Sequence, residues 1–291
     1  MLKILVNLAI FLFSLSPLIA SGQGQKKLLL IGNSFTYYNE MPITLQEMFD
    51  ETNVDIKVSV MTHAGASLAD HLTHSYHNDT GYSAASLNEI PQTITKILTD
   101  KWDYVVLQER PFNILIPELR QLAFKPAVLM FDSLIKLQGA KTILFQSITL
   151  NKYPINYCIP GGKSGKSRNV IRTFILHSLP NDKLKEIYCS DTFHNSEEEF
   201  QIIKTTFDEI ASNISADIIP VGEAFQKAKI QTLPFQCFST HTNHPTEYGS
   251  YMIACLFYKY FTGRSVSQIK YHAKIENSYA EKIKKIVDEL K

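Results

Sequence analysis

The chain lacks an excess of charge of either sign: 29 Lys and Arg stand against 28 Asp and Glu, a formal net charge of +1 over 291 residues. Without a basic field there is no footprint for a phosphate backbone, which argues against a nucleic-acid partner. Four cysteines are too few for a disulfide-built scaffold, and 12 glycines and 12 prolines without a repeat exclude collagen-like and low-complexity chains. Past residue 22 no apolar run approaches the length that crosses a bilayer. What remains is 45% apolar and 20% charged residues, the composition of a packed globular protein.

The amino terminus is set apart from this. Lys3 precedes an apolar run over residues 4–19, broken by Asn7, Ser14, Ser16 and Pro17, and the small residues Ala20, Ser21 and Gly22 follow. A positive start, a short apolar stretch and a small-residue exit predict a secretory signal peptide over residues 1–22, with cleavage near Gly22 or Gly24. As a membrane anchor the run is short, and Pro17 interrupts it. No cysteine follows it, which removes the case for a lipid anchor. The expectation is therefore an exported protein, periplasmic or extracellular, with no integral membrane segment after cleavage and a neutral balance once Lys3 is lost. Export permits disulfides. Cys158, Cys189 and Cys237 fall in loop-like segments, whereas Cys255 falls in the apolar stretch 251–261; a Cys158–Cys189 bridge is the preferred pairing, and the others stay open.

The body of the chain alternates short apolar runs with helical patterns. Residues 28–33, 56–61, 104–108, 142–147 and 217–221 read as strands, and 41–52, 87–98, 118–138, 196–212 and 250–261 as helices. Continuous apolar strands separated by helices predict an α/β fold: a doubly wound parallel sheet covered on both faces. No repeat or linker divides the sequence, so one domain is expected over 26–291, ending in an amphipathic helix from about Ser278. Residues 150–172, with Pro154, Pro160 and several glycines, read as a long loop of the kind that often serves as a lid or binding surface. Its Gly161-Gly162-Lys163-Ser164-Gly165-Lys166-Ser167 imitates a phosphate-binding loop, but Pro160 stands where that motif needs glycine.

Chemistry gathers at two places. Leu28 to Thr36 sets Gly32-Asn33-Ser34 at the end of the first strand, with a helix beginning near Met41. A serine at a tight strand-to-helix turn presents its hydroxyl beside backbone N–H groups that can stabilise an oxyanion; a turn serine bonding only backbone is the alternative. Of nine histidines, His244 lies in Thr240-His241-Thr242-Asn243-His244-Pro245-Thr246-Glu247-Tyr248-Gly249, just before a helix, where a base could be held in place.

Taken together these segments resemble the SGNH (GDSL-like) superfamily of serine esterases and acylhydrolases, in particular a secreted subgroup of unknown function. Four blocks carry the resemblance: Ile31-Gly32-Asn33-Ser34-Phe35-Thr36, His63-Ala64-Gly65-Ala66-Ser67-Leu68, Trp102-Asp103-Tyr104-Val105-Val106-Leu107-Gln108-Glu109, and His244-Pro245 with Tyr248-Gly249 and Ala254-Cys255. It implies a flavodoxin-like sheet, Ser34 as nucleophile and His244 as base. It also implies an oxyanion hole from the Ser34 and Gly65 N–H groups and the Gln108 amide, and no cofactor or metal. Asn33 replaces the Asp of many members, and Gln108 replaces an Asn. The expected reaction is cleavage of a carboxylic ester in a small molecule or glycan, with O-acetyl groups of a carbohydrate as the first candidate.

One departure matters. The position three residues before the base, where the family places an imidazole-orienting Asp, is His241. A Ser–His dyad oriented by a backbone carbonyl, an acid from elsewhere such as Glu109 or Glu247, and a weakened enzyme all fit. The last opens a second reading, a catalytically inactive glycan-binding module on the same scaffold. Other groups read more plainly: His71, His74 and His77 as a solvated helix rather than metal ligands, Glu197–Glu199 as the acidic first turn of a helix, and Tyr37-Tyr38 as cleft or packing.

Overall fold

The structure is a computed structural model that describes residues 24–76, 82–84, 90–150, 153–160, 185, 187–231 and 233–290. The proposed signal peptide, the Gly-Lys-Ser imitation at 161–167, residues 87–89 of one expected helix and His77 lie outside these residues.

Five parallel strands form the central sheet: β1 (Lys26–Gly32), β2 (Ile56–Thr62), β3 (Tyr104–Gln108), β4 (Lys141–Phe145) and β5 (Asp217–Ile219), in spatial order β2-β1-β3-β4-β5. The order reverses between β1 and β3, the kind of switch point at which open α/β sheets place ligands. In β1, Leu28 and Leu30 face one side and Leu29 and Ile31 the other, all fully buried. A strand apolar on both faces needs cover on both. On one face lie α1 (Met41–Glu51), α6 (Val221–Ile230), α7 (Glu247–Thr262) and α8 (Asn277–Asp288). On the other lie α2 (Leu68–Thr73), α3 (Gln92–Thr99), α4 (Lys125–Leu137) and α5 (Ser196–Ile214). The parallel doubly wound sheet expected from the sequence is the one observed. Residues 251–258 of α7 are buried all round, because the helix packs against both α1 and α8.

Several local expectations are corrected. The fifth strand stops at Ile219 rather than Val221: Pro220 has no N–H for the ladder and stands at the N-cap of α6, a helix missed by the sequence reading. The helix expected over 118–138 is interrupted by a wide π-type turn, Arg120–Phe124, ahead of α4. Pro126, in the first turn of α4, cannot donate the next helical hydrogen bond. The long loop is partly built: Cys158–Pro160 pairs antiparallel with Ile187–Cys189, and the expected Cys158–Cys189 disulfide joins them. Cys237 and Cys255 are free and buried, with burial pushing both thiols up to about 12.

His71 and His74 of the histidine triplet do not share a helix face. α2 ends at Thr73, His74 begins a strand, and His71 is fully buried. Glu199 likewise does more than begin α5. It is buried, accepts from Leu150 N and the Tyr157 and Tyr153 hydroxyls, and its carboxyl is raised by burial.

Candidate active site

The carboxyl end of β1 passes straight into the candidate nucleophile. Gly32 is needed there by contact: a Cβ would lie 2.5 Å from Gln108 Oε1 and 2.7 Å from Thr36 Oγ1. Asn33, in extended conformation, caps the short helix Ser34–Tyr37 by accepting from Phe35 N at 3.1 Å. Its own N–H donates to Gln108 Oε1 at 2.8 Å, and its Nδ2 donates to Ala66 O at 2.8 Å, tying the turn to the loop between β2 and α2. Ser34 thus becomes the first residue of a helical turn, with 8% of its surface exposed.

His244 arrives from the other end of the chain on a tight hairpin, Phe238–Ser239 against His244–Pro245. Asn243 turns it in the left-handed region (φ 56°), and its N–H donates to Ser239 O at 2.9 Å. The His244 ring then lies with Nδ1 2.6 Å from Thr242 O and Nε2 2.8 Å from Ser34 Oγ. A carbonyl can only accept, so Nδ1 carries the proton and Nε2 offers a lone pair to the serine O–H. That is the tautomer a general base requires. Tyr38 stacks on the imidazole with ring centroids 4.3 Å apart and planes 11° apart, and Phe35 approaches at 5.6 Å. Asn39 Nδ2 donates to Pro245 O and Ser250 Oγ, both at 3.0 Å, and so pins the Tyr38 turn to the His244 segment.

Beneath this pair lies a buried polar layer. Gly32 O accepts from His63 N, and it sits 2.8 Å from His71 Nε2, which must therefore be the protonated nitrogen; Nδ1 accepts from Thr93 Oγ1 at 2.9 Å. Burial holds His71 neutral, lowering it to about 4. The Glu109 carboxyl accepts from Leu68 N, Arg110 N and Asn113 Nδ2, yet burial outweighs these donors and the neighbouring Arg110, pushing it up to about 7. Arg110 Nη1 donates to Gly65 O at 2.8 Å and its guanidinium stacks over the Phe112 ring.

Of the residues expected at the site, Ser34 and His244 meet within hydrogen-bond distance although 210 positions apart. Gly65 sits at φ 66° in the loop held by Asn33 and Arg110. Among the described residues neither its N–H nor that of Ser34 donates to the chain. Gln108 lies under the turn, 2% exposed: Oε1 accepts from Asn33 N and Thr36 Oγ1, and Nε2 donates to Glu109 O at 2.7 Å. His241 is exposed, and the imidazole-orienting position falls instead on the Thr242 carbonyl, because the hairpin turn carries that oxygen to Nδ1. Neither Glu109 nor Glu247 bonds His244. Of the three accounts the sequence left open, the geometry matches a backbone carbonyl on the imidazole; which carbonyl, the Tyr38 stack and the His71 support went unread, and only Asn243, a residue tolerant of left-handed backbone, signalled the turn. Two open cavities lie near the site, and neither is lined by Ser34 or His244. One of about 580 Å³ is lined by Tyr37, Tyr38, Glu40, Glu247 and Tyr271, the other of about 500 Å³ by Lys229, Phe235, Cys237, Phe238 and Thr240.

Solved structures share this architecture. A DUF4886 family protein from Bacteroides uniformis superposes with a TM-score of 0.60 at 16% identity, over 90% of this chain and 93% of its own. A protein assigned to the SGNH hydrolases, from Slackia heliotrinireducens, superposes with a TM-score of 0.53 at 18% identity, over 81% of this chain and 98% of its own. The fold is that of the SGNH hydrolases. At these identities the likeness is one of fold alone. No family model and no curated protein matches the chain.

Proposed function

We propose that the chain is an exported serine esterase of the SGNH fold that cleaves carboxylic esters through Ser34 and His244. The observation that carries this reading is the relay Thr242 O to His244 Nδ1 to Nε2 to Ser34 Oγ, at 2.6 and 2.8 Å. In it, His244 Nε2 takes the Ser34 proton as Oγ bonds to the acyl carbon. The carbonyl oxygen gains the negative charge near the free Ser34 and Gly65 N–H groups. Collapse expels the alcohol, which receives the proton from His244, and leaves the acyl group on Ser34. Water, deprotonated by the same nitrogen, then attacks the acyl carbon; Ser34 Oγ leaves, takes the proton back from His244, and the acid is released. The second amide proton of Gln108 is the remaining candidate donor to the oxyanion; one such donor is typically worth ~2.7–4 kcal/mol. Export is supported by the apolar amino-terminal run and by the Cys158–Cys189 disulfide. Among the described residues no helix is long and apolar enough to cross a membrane. The proposed substrate class is a small-molecule or glycan ester, with O-acetylated carbohydrate as the first candidate.

The test is labelling with a fluorophosphonate probe. Wild type is expected to label, and Ser34→Ala and His244→Gln to lose labelling. A non-catalytic glycan-binding role on the same scaffold draws on one observation, that no carboxylate oxygen lies within 4 Å of His244 among the described residues. An unlabelled wild type that binds glycans would select it.

A further inference from the structure

Without a carboxylate beside it, His244 must still become positively charged each time Nε2 takes the serine proton. The acid of a catalytic triad does two things, holding the imidazole in one orientation and stabilising the imidazolium. The Thr242 carbonyl performs the first by accepting from Nδ1. For the second, the structure offers ring faces. The Tyr38 ring lies 4.3 Å from the imidazole and nearly parallel to it, and Phe35 stands at 5.6 Å, tilted by 33°. Both lie within the roughly 6 Å at which a cation is drawn to the negative face of an aromatic ring.

The stack is built in rather than incidental. Asn39 and Glu40, the two residues after Tyr38, both occupy the left-handed region (φ 51° and 58°), which side chains seldom adopt. Asn39 holds this turn against Pro245 O and Ser250 Oγ, on the segment that carries His244 itself. The Tyr38 hydroxyl makes no hydrogen bond among the described residues, and what meets His244 is the ring.

We propose that Tyr38 is a positioning residue that supplies the charge-stabilising half of the absent carboxylate's task, its ring face stabilising the His244 imidazolium, with Phe35 as a weaker second face. This rests on the Ser34–His244 reading. In each half-reaction Nε2 holds the proton taken from Ser34 or from water until the leaving alcohol, or Ser34 Oγ, receives it; while it does, the π face and the Thr242 carbonyl share the positive charge, and no bond to Tyr38 forms or breaks.

The experiment replaces Tyr38 by Phe, by 3,5-difluoro- and 3,4,5-trifluorophenylalanine, and by Leu. Fluorine withdraws electron density from the ring face with little change of shape. Hydrolysis of p-nitrophenyl acetate is followed alongside fluorophosphonate labelling of Ser34. Tyr38→Phe is expected to keep kcat within about twofold. Fluorination should lower kcat stepwise, by about three- to tenfold at the trifluoro ring, with KM nearly constant, and Tyr38→Leu should lose at least as much. A flat fluorine series, with loss only in Tyr38→Leu, would show a packing role and overturn the proposal. Equal losses in Tyr38→Phe and Tyr38→Leu would overturn it in favour of the hydroxyl. A labelled wild type with a flat series sinks this inference alone; a wild type that neither labels nor hydrolyses sinks the Ser34–His244 reading and this inference with it.

Discussion

Asn243 sets the His244 ring, the proposed base, without touching it. Its left-handed backbone aims the Thr242 carbonyl at His244 Nδ1, and that carbonyl fixes both the ring's orientation and its tautomer. Asn tolerates this region because its short side chain can bond locally, whereas a β-branched residue there meets its own backbone at a cost of roughly 1–2 kcal/mol. Asn243→Gly should therefore leave thermal stability close to wild type, and Asn243→Val should lower it by about that amount. If the carbonyl orients the base, Asn243→Val should also lose roughly tenfold in kcat with KM little changed, since a misplaced base is felt mainly in the transition state. Esterase kinetics and a thermal melt on the two variants decide it; a Val variant as active as wild type would free the turn of this role. At this scale the sequence pointed to side chains, and the two it singled out for the proposed chemistry, Ser34 and His244, lie within hydrogen-bond distance. It allowed a backbone carbonyl to orient the imidazole without saying which, because the oxygen of Thr242 looks like any other until the chain's path is known.

The hairpin and the helix after it act as one support. Thr246 caps α7, accepting from Gly249 N at 3.3 Å and donating through its hydroxyl to Gln236 O at 2.6 Å. Gly249 allows the helix to lie on the hairpin: a Cβ at that position would fall 2.0 Å from Cys237 O and 3.0 Å from its carbonyl carbon. Both are backbone atoms and cannot rotate away, so Gly249→Ala must push the hairpin off the helix. The expected cost is about 1–3 kcal/mol, read as a lower midpoint in urea, together with weaker fluorophosphonate labelling because His244 moves with the hairpin. Unchanged labelling at reduced stability would mean that the base is held by the Tyr38 turn alone. Element boundaries divide along the same physical line. The strands were readable because burial on both faces leaves continuous apolar runs, and β3 falls where its pattern put it. The two-residue strands of the hairpin and the helix behind Pro220 carry too little apolar pattern to be seen, and contacts distant in sequence decide them.

Across the whole molecule, the switch point between β1 and β3 gathers the site, and it also gathers two buried titratable groups with opposed shifts. That neither shift was legible follows from their causes: His71 read as part of a polar helix and Glu109 as a spare acid, and only the packing of α2 and β3 makes both interior. Glu109 is raised to about 7, so the folded chain holds a proton that the unfolded chain releases from about 4.5 upward. Its contribution is complete below about 4.5 and is lost as pH rises through 7. His71 is lowered to about 4, so the unfolded chain takes up a proton below about 6.5 that the folded chain refuses. Its contribution is complete above about 6.5 and is lost as pH falls through 4. At 1.36 kcal/mol per unit each is worth about 3 kcal/mol, with opposite slopes that nearly cancel between pH 4.5 and 6.5. Removing one group should expose the other. Relative to wild type, His71→Gln should gain about 2–3 kcal/mol as pH falls from 6.5 to 4.5, and Glu109→Gln should lose about the same over that interval. Urea unfolding at pH 4.5, 5.5 and 6.5 measures the two differences. Variants that run parallel to wild type across this range would mean that neither group stays in its buried protonation state, and with it the neutral layer beneath Ser34 would have to be given up.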